Sequence, residues 1–200
     1  DMVNPCIPLI ETVQGQLMGV VQDDIHLWRG IPYAAPPTGE AAGEPLTPWS
    51  GIRDANTFSS ASWQDIEYCK ELGGGDPGAF SEDCLYLNVW SPAERDRPLP
   101  VMVWLHGGGY TIGAGNLPPY DGVALANERG YLGFFAHPAL EGEEGEVLNN
   151  FALLDQIAAL RWVQENIAAF GGDPQNVTLF GESAGARSVL SLLASPRGKG

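Results

Sequence analysis

The stretch Val177-Thr178-Leu179-Phe180-Gly181-Glu182-Ser183-Ala184-Gly185 runs from four apolar or β-branched residues directly into the pattern G-x-S-x-G. It reads as a buried strand that turns into a helix carrying a nucleophilic serine. Gly181 and Gly185 flank Ser183 because so sharp a turn brings strand and helix backbones together and leaves no room for a Cβ. The turn holds Ser183 proud of the sheet. Its hydroxyl is a weak nucleophile alone and becomes useful when a nearby histidine accepts its proton. Ala184 to Leu193 continues as a helix that stops before Ser195-Pro196.

Upstream, Pro100 to Leu105 contains the continuous apolar run Val101-Met102-Val103-Trp104-Leu105, the pattern of a strand buried on both faces in a parallel or mixed sheet. His106-Gly107-Gly108-Gly109-Tyr110 follows it at once. Consecutive glycines let a backbone turn several N–H groups toward one point, which a developing oxyanion requires. Gly108 and Gly109, with the N–H of Ala184 after the nucleophile, make a candidate three-donor oxyanion hole. A phosphate loop is disfavoured because no Gly-Lys-Ser/Thr follows. His106 reads as structural, since it has no metal-ligand partner at i+3 or i+4.

Between these motifs, Phe151 to Phe170 places Leu153, Leu154, Ile157, Leu160, Val163 and Ile167 at helical spacing, with Asn149-Asn150 able to cap the start and Gly171-Gly172-Asp173-Pro174 at the end. The order strand, glycine loop, helix, strand, serine turn, helix is the alternation of an α/β sheet with its site at the carboxyl ends of the strands. Toward the N-terminus, Leu9 to Val13, Leu17 to Val20 and Ile25 to Trp28 read as short antiparallel strands. Prolines 32, 36, 37, 45 and 48 then predict an irregular connection, and Leu85 to Trp90 a further strand.

The chain has 200 residues and 44% hydrophobic content, enough for a sizeable core. No stretch approaches the roughly 18 consecutive apolar residues of a membrane span, and residues 1–5 show no basic or apolar signal segment. A formal net charge of −15, from 25 acidic and 10 basic residues, argues against nucleic acid or an anionic membrane as partner. The acidic group Glu141, Glu143, Glu144 and Glu146 lacks the spacing of a calcium loop and reads as a solvated surface. Asn176-Val177-Thr178 fits the glycosylation pattern, but its threonine is expected to open a buried strand. Of Cys6, Cys69 and Cys84, the pair Cys69 and Cys84 lies 15 positions apart across a glycine-rich segment. A bridge there adds about 3 kcal/mol and implies an oxidising compartment; three reduced thiols in a cytoplasmic protein fit the spacing as well.

Taken together, these residues closely resemble the type-B carboxylesterases, relatives of the cholinesterases and bile-salt-activated lipases. The resemblance rests on Gln14-Gly15, Trp28-Arg29-Gly30-Ile31-Pro32-Tyr33-Ala34, the run Ser81 to Val89, His106 to Gly109, and Asp155-Gln156 through Gly185. It implies an α/β-hydrolase fold, with a mostly parallel central sheet flanked by helices and an antiparallel N-terminal lead-in. Residues 1–200 would be the N-terminal part of one such domain. It further implies Ser183 as nucleophile, Gly108, Gly109 and Ala184 as oxyanion hole, Glu182 lining the site beside the serine and a Cys69–Cys84 disulfide; with the bridge goes an expected secreted or extracytoplasmic location, and without it a cytoplasmic one. The substrate would be a small-molecule carboxylic ester, with no metal and no organic cofactor; oligomeric state is not legible.

Three departures stand against that pattern. Family members place the triad's acid and histidine after the nucleophile, whereas the histidines here are His26, His106 and His137; the acid and base are therefore expected outside this chain. Around Asn127 to Gly133, about ten residues of a hydrophobic strand and turn are short relative to the family, which predicts a missing central strand. The third departure is a shortening at Thr38 to Pro45. Two further readings follow from these departures: a catalytically silent adhesion or binding member of the family, and a truncated fragment of one.

Overall fold

The computed structural model describes residues 7–37, 44–129, 132–136 and 151–196. Strands β1 (Leu9–Thr12) and β2 (Gly15–Met18) form a hairpin, and β5 (Ile52–Asp54) joins β2 in parallel to complete a three-stranded sheet. The larger sheet begins with β3 (Val20–Gln22) and β4 (Ile25–Pro32), joined by Asp23 and Asp24. Both aspartates have positive φ, 50° and 60°, the backbone that a two-residue hairpin with native twist demands. After helix α1 (Ile66–Glu71) come β6 (Tyr86–Pro92) and β7 (Leu99–Leu105). Then follow α2 (Val123–Arg129), β8 (Leu132–Ala136), α3 (Phe151–Asn166), β9 (Gly172–Gly181) and α4 (Ala184–Ala194).

The six strands lie in the order β3-β4-β6-β8-β7-β9. The pairings β3–β4, β4–β6 and β6–β8 are antiparallel, and β8–β7 and β7–β9 are parallel. The parallel part expected from the strand–helix alternation is therefore the β8–β7–β9 end, and the antiparallel lead-in reaches as far as β6.

Alternation along the strands sorts side chains to two faces. Trp28, Val89, Val101, Val103 and Leu105 meet Ile157, Trp162, Val163, Ile167 and Phe170 of α3 and the turn after it. Leu27 and Trp90 meet Ala126 of α2 on the opposite face. On the first face the Phe170 ring stands edge-on to Trp28 at 4.9 Å and tilted to Trp162 at 5.5 Å, pairs worth about 0.5–1.5 kcal/mol each beyond their burial. Asn166, buried at the end of α3, accepts from the N–H of Val13 at 2.8 Å and donates to Gln14 Oε1 at 3.2 Å. The turn of the small sheet's hairpin is thereby tied to the end of α3.

Several expectations are corrected. The central strand predicted to be missing is present. Leu132-Gly133-Phe134-Phe135-Ala136 forms β8 between β6 and β7, and this five-residue apolar run is a strand of ordinary length. Cys69 and Cys84 are free thiols. Cys69 packs in a small cluster with Ala61, Ile112 and Leu117, whereas Cys84 belongs to the main core. The two thiols are therefore buried in separate apolar environments. Burial, with Asp155, Asp83 and Glu82 nearby, pushes Cys84 up to about 12, so the thiol stays protonated. The argument from a bridge to an oxidising compartment falls with the bridge.

Strand β9 is only half-buried, with Asn176 and Thr178 on it exposed, and among the described residues it is the outermost strand of its sheet. The β7 run has one fully buried face, Val101, Val103 and Leu105, and one half-buried face. The irregular connection expected over Gly30 to Ser50 starts later than expected, since Gly30, Ile31 and Pro32 end β4, the last two in register with β6; segment 33–51 then holds no helix or strand among its described residues. Cys6, residues 38–43, Gly130, Tyr131, His137, the cluster Glu141 to Glu146 and the Asn149-Asn150 cap lie outside the described residues.

Candidate active site

Ser183 sits at the junction of β9 and α4 with φ 52° and ψ −118°, a sparsely populated conformation for a residue with a Cβ, which costs about 1–3 kcal/mol. The surrounding backbone holds it there. The carbonyl of Glu182 accepts from the N–H groups of Gly185 at 2.8 Å and Ala186 at 3.3 Å, and the Ser183 carbonyl accepts from Arg187 at 3.1 Å. The two glycines are required by close approach. A Cβ on Gly185 would land on the Leu105 carbonyl oxygen, and one on Gly181 would lie 2.7 Å from the same oxygen. The serine side chain is thus presented at the surface, next to the carboxyl end of β7.

The glycine loop meets it there. A Cβ on Gly107 would fall on the Glu182 carboxylate and 3.0 Å from the Cβ of Ser183. The carbonyl of Gly108 accepts from the N–H of Thr111 at 3.0 Å, the N–H of Ile112 at 3.1 Å and the Thr111 hydroxyl at 3.2 Å, which fixes that peptide. Gly108 and Gly109 have φ 106° and 63°. Among the described residues no hydrogen bond is made by the N–H of Gly108, Gly109 or Ala184. Three unused donors therefore sit on the two backbone segments that meet at the serine.

A cavity of about 340 Å³ opens at this point. Ser183, Glu182 and Gly107 to Gly109 line one side of it, and Tyr68, Cys69 and Leu72, from α1 and its C-terminal end, line another. A volume of this size suits a small organic ligand. Sequence reasoning missed the α1 wall. Its signal was Asp65, whose carboxylate accepts from the N–H groups of Glu67 at 3.0 Å and Tyr68 at 3.1 Å and so caps the helix. Gln64 was missed too. It holds Gly113 from both sides, donating to its carbonyl at 2.9 Å and accepting from its N–H at 2.8 Å.

Of the sequence-predicted residues, Ser183, Glu182, Gly108, Gly109 and Cys69 share the cavity. Ala184 is buried just behind it, and Cys84 is not part of it. No histidine among the described residues lines it. His26 lies on β4 edge-on to Trp28, and His106 is buried behind the glycine loop. Nor do the described residues group three or more His, Cys, Asp or Glu to hold a metal ion.

The family model described as Carboxylesterase family matches residues 7–200. This chain belongs to that family. The carboxylesterase chain is 44% identical to a para-nitrobenzyl esterase of Bacillus subtilis, over 96% of this chain and 41% of that protein. It is 45% identical to a fumonisin B1 esterase of Sphingopyxis macrogoltabida, over 94% of this chain and 37% of the relative. A solved PNB esterase structure superposes with a TM-score of 0.89 at 42% identity, covering 96% of this chain and 42% of that one. The fold of this carboxylesterase chain is accordingly that of the α/β-hydrolases, and it spans about two fifths of the length of the relatives it matches.

Proposed function

We propose that the protein hydrolyses small-molecule carboxylic esters through an acyl-enzyme on Ser183, within a single α/β-hydrolase domain. The observation that carries this reading is the strained, exposed Ser183 in one cavity with a glycine loop whose Gly108 and Gly109 amides are unused among the described residues. Ser183 Oγ attacks the ester carbonyl carbon and loses its proton to a general base. The carbonyl oxygen becomes an oxyanion, which the N–H groups of Gly108, Gly109 and Ala184 stabilise. The carbon–oxygen bond to the alcohol then breaks, the base returns the proton to the departing oxygen, and water hydrolyses the acyl group from the serine.

The base is supplied from outside the described residues, because neither His26 nor His106 reaches the cavity. The likeness to proteins named esterases supports the substrate class. Glu182, exposed at the cavity edge, would lie beside the reacting centre.

A fluorophosphonate probe should label the natively expressed protein at Ser183, and the protein should hydrolyse a p-nitrophenyl ester. Ser183→Ala should lose the label and lower kcat by a factor of about 10⁴ or more. An unlabelled native protein would overturn the reading.

A further inference from the structure

Tyr110 follows Gly109 directly and has φ 64°, an uncommon backbone for a bulky residue. Its ring does not line the cavity. The hydroxyl instead crosses to α4 and donates to the carbonyl of Ala184 at 2.9 Å. Ser188, one turn along α4, donates its hydroxyl to the Tyr110 oxygen at 3.3 Å, and Gln156 on α3 donates from Nε2 to Ser188 Oγ at 3.1 Å. All three bonds run in one direction, from α3 through α4 to the serine turn. Ser188 and Gln156 are 0% and 1% exposed. In such surroundings each bond strengthens, and a partner left alone costs more than it would at the surface.

We propose that Tyr110, Ser188 and Gln156 form a positioning relay that holds the amides of Gly109 and Ala184 in register around the oxyanion; the proposal rests on the esterase reading above. Tyr110 is peptide-bonded to Gly109, which follows β7, and its hydroxyl grips Ala184, which follows β9. One side chain therefore couples two donors carried by neighbouring strands, and misplacement of either weakens transition-state binding more than substrate binding. None of the three lines the cavity. Tyr110→Phe keeps the ring and removes the grip on Ala184 together with the acceptor of the Ser188 hydroxyl.

The test uses the natively expressed protein, with active sites counted by fluorophosphonate labelling of Ser183. Tyr110→Phe should lower kcat per labelled site on p-nitrophenyl acetate about tenfold and leave KM within about twofold. It should also weaken inhibition by a trifluoromethyl ketone, which forms a tetrahedral oxyanion on the serine, about tenfold. Ser188→Ala should act in the same direction, and the double variant should lose little more than the worse single one, because both cut one chain of bonds. Should Tyr110→Phe fail to fold, Ser188→Ala is read by the same two constants. Unchanged kcat and ketone affinity in labelled variants would overturn the relay, as would a kcat loss without a ketone loss, or losses that multiply in the double variant. A native protein that takes no label would overturn the hydrolase reading and the relay together.

Discussion

His106 follows β7 directly and is buried, with Nδ1–H donating to the carbonyl of Gly107 at 2.7 Å and its ring stacked on Tyr120 at 6.2 Å. Burial holds its pKa down at about 4, and the bond to Gly107 pulls it back only in part. The ring is therefore neutral near pH 7 and acts as a brace for the loop. In the unfolded chain the same group titrates near 6.5, so below that value the unfolded state gains a proton that the folded state refuses. The stability this neutral ring allows is complete above about pH 6.5 and is lost as pH falls toward 4. Between about pH 7.5 and about pH 5 the loss amounts to about 2 kcal/mol. Urea unfolding of the protein and of His106→Asn at both pH values should show the variant losing about 2 kcal/mol less; equal losses would remove His106 as the cause. The structural role of His106 was readable from its missing metal partners. The state of Cys69 and Cys84 was not, because spacing sets the length of a closed loop but not which apolar cluster each thiol enters.

Helix α4 rests on β7 through the smallest surfaces the alphabet offers, which makes two glycines of the site behave differently. Gly185 has the Leu105 carbonyl oxygen where a Cβ would go, and the carbonyl oxygen of His106 2.7 Å away. Gly109 has only the Thr111 hydroxyl, at 3.8 Å, and its demand is for φ 63° alone. Gly185→Ala should therefore push helix from strand and cost more than about 3 kcal/mol, whereas Gly109→Ala should cost about 1 kcal/mol of backbone strain. Denaturant midpoints decide this, and a reversed order would mean that the close approach of α4 to β7 is not what fixes the serine turn. The same distinction explains what the sequence made legible among the elements. The strand β7, the helix α3 and the β9–α4 turn announce themselves by long apolar runs, sustained periodicity and glycines at fixed offsets. Helix α1, of six residues, is too short to show a period, and β8 is a five-residue run with a glycine inside it. Pairing partners, not composition, make β8 the strand between β6 and β7.

At the scale of the whole chain, charge is the least balanced quantity: 25 acidic against 10 basic residues. Lys70 pairs with Glu67 at 3.5 Å and with Asp76 at 3.7 Å, all three side chains being well exposed, and such pairs contribute about 0–1 kcal/mol each. Arg29 and Arg53 lie over the rings of Phe58 and Trp49. With so few cations, most carboxylates face others of the same sign, and folding brings them closer than the unfolded chain does. Salt screens both effects, shortening the Debye length from about 14 Å at 0.05 M to about 4 Å at 0.5 M. It weakens a few favourable pairs, each of little worth, and relieves a repulsion summed over the surface, so the relief should win. Raising potassium chloride across that range should increase Tm by about 3 °C or more; chloride is the suitable anion because sulfate would stabilise through exclusion from the surface regardless of charge. The same titration at about pH 4.5, near the sequence pI of 4.3, should show almost no rise, since the repulsion is then largely gone. A Tm that falls with salt near neutral pH would mean that specific ion pairs, and not net repulsion, govern the electrostatics of this fold.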